Sequence, residues 1–230
     1  MLWAHMTSSP AAVIFDCDGV LIDSEILSLE IEVELLAAHG LVYAPADFLH
    51  RFMGLNDAAY HAALDADCRD RTGRPLRLEA LREARGPLWA ACEHRLTEVE
   101  GCAAAVAALT LPKAVASSSG ATYLRDNLRR TGLFETFAPH VYSADLVAQA
   151  KPHPDIFLHA ARRLEVDPAG CLAIEDSVNG VRAARAAGMT VWGFVGGGHM
   201  DARSGARLVE AGAHDVVETW AEAAERFAGF

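Results

Sequence analysis

Short apolar runs, each followed by small or polar residues, recur along this chain of 230 residues and limit what it can fold into. Helical patterns lie between most of these runs. Near-continuous apolar strands that alternate with helices predict a parallel sheet covered by helices on both faces. In such sheets ligands bind at the carboxyl ends of the strands. The predicted strands are residues 12–15, 114–116, 140–142, 171–174, 190–194 and 215–217.

The alternation of strands and helices is interrupted between the first and second predicted strands. Three amphipathic helical patterns occupy this stretch, at residues 24–39, 58–71 and 78–96, and the breaker Thr72-Gly73-Arg74-Pro75 separates the last two. A crossover between parallel strands needs only about a dozen residues. The sequence therefore predicts an α/β core, residues 1–22 and 97–230, and an inserted all-helical domain, residues 23–96.

The composition excludes several classes of partner. The formal net charge is −11, and no cluster of Lys and Arg offsets it locally, so we expect neither nucleic acid nor an anionic membrane as a partner. No apolar run approaches the roughly 20 residues of a membrane span, and the first residues do not resemble a secretory signal. The five cysteines are scattered, which is typical of reduced thiols. We therefore expect a cytoplasmic protein.

The first predicted strand ends in two aspartates separated by one residue, within VIFDCDGVLIDSE, residues 13–25. Alternation along the strand directs Asp16 and Asp18 to the same side, and Gly19 lets the chain turn away tightly. Two neighbouring carboxylates raise the cost of ionising both. A divalent cation offsets that cost, and Mg²⁺ prefers oxygen ligands. The pair indicates a metal-assisted site, with a simple turn or helix cap as the alternative.

Three further polar segments follow along the chain: VASSSG (residues 115–120), AKPHPDIF (150–157) and LAIEDSVNG (172–180). The serines are suited to binding an anion near a helix N-terminus, although they also suit an ordinary N-cap. Prolines rigidify the loop that carries Lys151. A lone lysine before a proline is otherwise typical of solvated surface. An acidic pair follows the fourth predicted strand. A favourable charge at a helix N-terminus would explain one acidic residue but not two directly after an apolar strand, so the pair favours a metal site.

These four motifs, in this order, resemble those of the haloacid dehalogenase superfamily, in the branch of sugar-phosphate phosphatases and β-phosphoglucomutase-like proteins. The resemblance implies a Rossmann-like parallel sheet core and a helical cap inserted after the first strand. It also implies that Asp16 is a nucleophile that forms an aspartyl-phosphate and that Asp18 is the general acid/base. Dehalogenases of this superfamily lack the second aspartate, so Asp18 favours phosphate ester chemistry.

The resemblance implies roles for the other motif residues as well. The Ser117 hydroxyl and the Ser118 amide would bind the phosphate, and Lys151 would bridge the nucleophile and the transferring phosphoryl group. The cofactor would be Mg²⁺. Its implied ligands are Asp16, Asp18 through the backbone carbonyl, Asp176, and Glu175 as the neighbour that holds the metal's waters.

The inserted helices are expected to form a lid that selects the substrate. The candidate substrate-binding residues there are Glu25, Arg51, Asn56 and His61, with solvated surface as the alternative for each. β-Phosphoglucomutases carry a histidine where this chain has Ser28, which favours a phosphatase over a mutase. The glycine-rich segment of residues 193–200 resembles a loop of phosphatases related to 6-phosphogluconate phosphatase, with His199 as a possible contact.

Three functions remain open at this point. The first is a Mg²⁺-dependent phosphatase for sugar phosphates or sugar-acid phosphates, the second is a phosphomutase, and the third is a non-catalytic sensor of phosphorylated metabolites. The intact set of motif residues favours an enzyme. The expected partner is a small phosphorylated metabolite, and the expected assembly is a monomer or a weak homodimer.

Overall fold

The computed structural model describes residues 9–52 and 57–230. The chain divides into two compact units. One runs to Ser24 and resumes over Leu96–Phe230, and the other is Glu25–Arg95. Within the described residues the second unit contains helices and no strand, as its amphipathic patterns predicted. Its helices are α1 (Ser24–Ala38), α2 (Pro45–Phe52), α3 (Asp57–Thr72) and α4 (Leu78–Cys92), the last followed by a 3₁₀ turn at Glu93–Arg95.

The helical unit has a core of its own. Leu36, Leu41 and Leu64 are fully buried there. The hydroxyl of Tyr60 on α3 donates to Glu32 on α1 at 2.6 Å, and Arg85 on α4 reaches the other oxygen of the same carboxylate at 3.1 Å. The Glu32 carboxylate therefore connects α1 to both α3 and α4.

The other unit contains a six-stranded parallel sheet with the order β3-β2-β1-β4-β5-β6. β1 is central, and successive strands are added on one side of it and then on the other. A parallel sheet binds ligands where the strand order reverses, beyond the carboxyl ends of the strands. The strands are β1 (Ala12–Phe15), β2 (Lys113–Ser117), β3 (Val141–Ser143), β4 (Cys171–Glu175), β5 (Thr190–Phe194) and β6 (Asp215–Val217).

Helices cover both faces of this sheet. Alternate residues of strand β1 point to opposite faces, and all of them are buried, so each face has to be covered. Ile14 belongs to the buried cluster that contains Phe157 and Val181. Phe15 packs against the rings of Phe137 and Trp220, with centroids 5.6 and 5.9 Å away. The helices of this unit are α5 (Cys102–Ala108), α6 (Ala121–Arg130), α7 (Phe134–Phe137), α8 (Asp155–Arg163), α9 (Val178–Ala186), α10 (Ser204–Ala211) and α11 (Trp220–Phe227).

The predicted α/β class with a parallel sheet is confirmed, with small shifts at element ends. The third strand was predicted at residues 140–142 and lies at Val141–Ser143. His140 is still part of the turn after α7, since its amide donates to the Phe137 carbonyl at 2.7 Å. None of the described helices combines the length and the apolarity that a membrane span needs.

Candidate active site

Lys151 lies between two carboxylates at the carboxyl ends of β1 and β4. Its Nζ donates to Oδ1 of Asp16 and to Oε1 of Glu175, both at 2.6 Å, and to the Ala116 carbonyl at 2.8 Å. Asp16 directly follows β1, and Glu175 is the last residue of the adjacent strand β4. The Lys151 side chain is only 4% exposed. The sheet therefore holds a buried cation against the predicted nucleophile.

The electrostatics of this cluster leave an excess of negative charge. Burial alone would lower the pKa of Lys151, but the carboxylates of Asp16 and Glu175 outweigh burial and raise that pKa above its usual range. Burial raises the pKa of Asp16; Lys151 opposes this increase, and the carboxylates of Glu175, Asp176 and Asp18 add to it. A second cation would relieve the repulsion that remains.

The donor set of the cluster fits a hard divalent cation. Asp16, Glu175 and Asp176 each offer a carboxylate oxygen, and these oxygens lie within 4.8 Å of one another. Oxygen donors of this kind suit Mg²⁺ and similar ions. Glu175 has other partners as well, because its Oε2 accepts hydrogen bonds from the amide and the hydroxyl of Ser177 at 3.1 and 3.0 Å.

Three hydroxyl groups lie around the carboxylate of Asp18. Ser24 donates to Oδ1 at 2.7 Å, and Ser119 donates to Oδ2 at 2.6 Å. Ser117 lies farther from Oδ2, at 3.5 Å. A serine hydroxyl can donate or accept, so these partners can serve both the ionised and the protonated carboxyl group. The second predicted catalytic aspartate is therefore fixed on both oxygens.

Ser24 and Ser119 are site residues that the sequence reasoning missed. Both lie inside predicted motifs, VIFDCDGVLIDSE and VASSSG, whose predicted site residues were the two aspartates in the first and the other two serines in the second. Ser117 is buried at the end of β2, and its Oγ accepts the amide of Ser119 at 3.0 Å. The adjacent Ser118 is exposed. The turn after β2 therefore brings a second hydroxyl to Asp18.

Gly19 allows the close packing of this site. Its φ is +76°, a left-handed value that favours glycine, and a Cβ placed on it would lie 2.0 Å from Oδ2 of Asp176. Any side chain at this position would push aside the carboxylate of Asp176. The chain can therefore turn sharply after Asp18 and still leave room for the acidic residue of the neighbouring motif.

The structure brings the core motif residues to one edge of the sheet, as their positions after the strands predicted. The candidate residues of the helical unit are in a different situation. Arg51 forms an ion pair with Asp67 on α3, and its guanidinium stacks on the Phe52 ring at 5.5 Å. Asn56 lies outside the described residues. A role for either in binding substrate remains a prediction.

The sequence profile of the haloacid dehalogenase-like hydrolases matches residues 10–188 of the chain. The chain belongs to this family. The match covers all four motifs, from the aspartate pair to the acidic pair after β4. The family predicted from these motifs is thereby confirmed, and so is the prediction of an enzyme, a hydrolase whose relatives include named phosphatases.

Two curated relatives of this haloacid dehalogenase-like hydrolase come from Escherichia coli (strain K12). Hexitol phosphatase B is 33% identical over 77% of this chain and 80% of its own length. 6-Phosphogluconate phosphatase is 27% identical over 82% of this chain and 84% of its own length. Among solved structures, a HAD family hydrolase from Deinococcus radiodurans R1 with bound phosphate and sodium has a TM-score of 0.80 and 33% identity, over 96% of this chain and 98% of that one.

Proposed function

We propose that this hydrolase is a Mg²⁺-dependent phosphatase that cleaves small phosphorylated metabolites, sugar phosphates or sugar-acid phosphates, through an aspartyl-phosphate on Asp16. The observation that carries the proposal is the contact of Asp16 with the buried ammonium of Lys151, beside an Asp18 whose two oxygens both accept hydrogen bonds. This arrangement provides a nucleophile, a fixed cation and a proton carrier in one site.

Asp16 attacks phosphorus in the first step. A bond forms between its carboxylate oxygen and phosphorus, and the bond from phosphorus to the ester oxygen breaks. Lys151 keeps Asp16 ionised and balances the charge on the phosphoryl oxygens. The Ser117 hydroxyl and the Ser118 amide at the end of β2 bind the phosphoryl group.

Asp18 moves the protons in both steps. In the first step its carboxyl proton goes to the departing ester oxygen, which leaves as an alcohol. In the second step Asp18 takes a proton from the attacking water, and the bond between phosphorus and the Asp16 oxygen breaks to release phosphate. Ser24 and Ser119 hold its two oxygens during both transfers.

The cation would be held by Asp16, Asp176 and the backbone carbonyl of Asp18. Mg²⁺ at this position supplies Lewis-acid stabilisation of the negative charge on the phosphoryl oxygens. Both oxygens of Glu175 accept hydrogen bonds, from Lys151 and from Ser177. We assign Glu175 the role of orienting these two groups beside the cation.

The substrate class is supported by the relatives, of which one is named for hexitol phosphates and one for 6-phosphogluconate. Ser28 on α1, where β-phosphoglucomutases carry a histidine, favours water over a second sugar hydroxyl as the final acceptor. A small phosphorylated metabolite is thus the proposed partner, and the helical unit is proposed to be the lid that selects it. We further propose a monomer or weak homodimer in the cytoplasm.

Phosphate release from a panel of sugar, sugar-alcohol and sugar-acid phosphates tests the proposal. We expect turnover that requires Mg²⁺, is lost in EDTA and is lost in Asp16→Asn. Asp126→Asn is the matched control, since Asp126 is exposed on α6 and pairs only weakly with Arg129 at 3.7 Å. Absence of turnover on every ester, with tight binding of one of them, would support the sensor instead. Isomerisation of a hexose phosphate faster than phosphate release would support the mutase.

A further inference from the structure

The loop between β5 and α10, residues 195–203, contacts the site at three points, and the proposed mechanism uses none of its side chains. We call it the β5–α10 loop. It carries the glycine run of residues 196–198 and then His199. The contacts reach Asp176, the backbone of Gly19 and the side chain of Asp23, which belong to two of the four motifs.

His199 contacts the carboxylate of Asp176. Its Nε2 lies 3.3 Å from Oδ2 of Asp176, and the two side chains are 14% and 7% exposed. The His199 ring also lies against Gly19, since a Cβ added to Gly19 would meet ring atom Cε1 at 2.7 Å. A largely buried imidazole thus touches both the acidic pair after β4 and the turn after Asp18.

The backbone of the β5–α10 loop fixes this position. A Cβ on Gly197 would lie 2.6 Å from the carbonyl oxygen of Gly19 and 3.0 Å from the His199 ring, so the loop leaves no room for a side chain here beside the turn after Asp18. The amide of Gly198 donates to Oδ1 of Asp23 at 3.2 Å. These contacts hold the part of the loop that directly precedes His199.

We propose that His199 is a positioning residue for the cation site, which holds Asp176 by donating a hydrogen bond from Nε2 to Oδ2. A carboxylate fixed through one oxygen can no longer rotate freely, so the direction of its other oxygen is fixed as well. Hydrogen bonds to a ligating carboxylate typically change metal affinity by about 10–100-fold. The inference rests on the proposed function, because it assumes that Asp176 ligates Mg²⁺.

The test is the dissociation constant of Mg²⁺, measured by titration calorimetry without substrate, together with the Mg²⁺ concentration that half-activates phosphate release. His199→Leu should raise both about tenfold or more, while saturating Mg²⁺ should restore kcat to within about threefold of wild type. His199→Gln places an amide N–H near the position of Nε2 and should recover most of the affinity.

Two further variants separate positioning from general damage. His140→Leu removes a histidine that contacts the Tyr142 hydroxyl at 2.8 Å, away from the site, and should leave Mg²⁺ affinity unchanged. Gly197→Ala keeps His199 but forces the loop away from Gly19. It should raise the Mg²⁺ dissociation constant, as His199→Leu does. It carries the test should His199→Leu fail to fold.

The outcomes separate this inference from the proposed function. Wild-type protein that neither binds Mg²⁺ nor needs it for turnover would overturn the proposed function. Wild-type protein that binds Mg²⁺, with His199→Leu or Gly197→Ala binding it within twofold of wild type, would overturn the positioning role alone. A Gln variant as weak as the Leu variant would also overturn it, since ring packing rather than the hydrogen bond would then matter.

Discussion

The ammonium of Lys151 and the Asp16 carboxylate lie 2.6 Å apart, although 135 residues separate them in sequence. Lys151→Met should therefore leave Asp16 and Glu175 without their shared cation. We expect kcat to fall by about 10²–10³-fold, the typical loss when one group that stabilises transition-state charge is removed. Steady-state kinetics at saturating Mg²⁺ measures this.

Lys113→Met is the matched control for that variant. Lys113 is the only other lysine of the chain, and it donates to the carbonyls of Val106 and Leu109 at the end of α5. Its removal should lower the melting temperature and leave kcat near wild type. Equal losses of kcat in the two variants would contradict the assigned role of Lys151.

Asp16→Asn should stabilise the cation-free protein while abolishing turnover. Burial, reinforced by the neighbouring carboxylates and opposed by Lys151, raises the pKa of Asp16 above its ordinary value of 3.8. Between 3.8 and the raised pKa the folded chain binds more protons than the unfolded chain, so the stability that Asp16 contributes falls as pH rises through this window. Asparagine removes this penalty, and Lys151 keeps Glu175 and the Ala116 carbonyl as partners.

Thermal unfolding in EDTA at pH 5 and pH 8 measures the effect. We expect the melting temperature of Asp16→Asn to exceed that of wild type at pH 8 by about 2–4 °C for each 1 kcal/mol gained, and by less at pH 5. Asp126→Asn should show neither change. A lower melting temperature for Asp16→Asn at pH 8 would show that the carboxylate stabilises the fold.

Ser119→Ala should impair proton transfer more than phosphate binding. Its hydroxyl donates to Oδ2 of Asp18 at 2.6 Å, so its loss frees one end of the acid/base. General acid–base catalysis contributes about 10²–10⁴-fold, and we expect the misplaced carboxyl group to lose about tenfold in kcat. Esters with good leaving groups, which need less protonation, should be affected less in the first step.

The matched control for Ser119 is Thr131→Ala, which removes a hydroxyl that donates to the Asn127 carbonyl at the end of α6. Its kcat should stay near wild type. A rise in KM for Ser119→Ala with an unchanged kcat would place the hydroxyl in substrate binding instead.

Trp220→Phe tests how the last helix, α11, holds the turn after Asp18. The indole N–H of Trp220 donates to the Val20 carbonyl at 3.0 Å, and the side chain is 1% exposed. Phenylalanine leaves that buried carbonyl without its partner, which costs about 1–3 kcal/mol. Chemical denaturation should show the loss as a lower midpoint with an unchanged slope. A midpoint equal to that of wild type would mean that another group replaces the indole.

The fold was largely predictable because its signals are local. Each strand of the sheet is an apolar run, and Asp16, Ser117 and Glu175 lie at or directly after strand ends that parallel pairing brings to one edge. The helical insertion was recognisable from its periodicity. The predicted end of α4 was too late, because the chain tightens into a 3₁₀ turn after Cys92.

The remaining site contacts were not predictable, since they depend on how distant turns pack. Nothing in the spacing of VASSSG shows that Ser119 rather than Ser118 faces Asp18; the turn after β2 decides it. The contact of His199 with Asp176 likewise depends on the path of the β5–α10 loop over Gly19. The residues of the helical unit that contact the substrate could not be predicted either, because the sequence does not specify the substrate.

The central claim is that Asp16 becomes phosphorylated, and peptide mass mapping after rapid acid quench tests it most directly. Asp18→Asn should slow release of the phosphoryl group, while an ester with a good leaving group, which needs little protonation in the first step, should still phosphorylate Asp16. This variant with Mg²⁺ and such an ester is therefore the sample of choice. We predict one added phosphoryl group on the peptide that contains Asp16, and none in Asp16→Asn. A wild-type enzyme that turns over while this peptide stays unmodified in both wild type and Asp18→Asn would contradict the account.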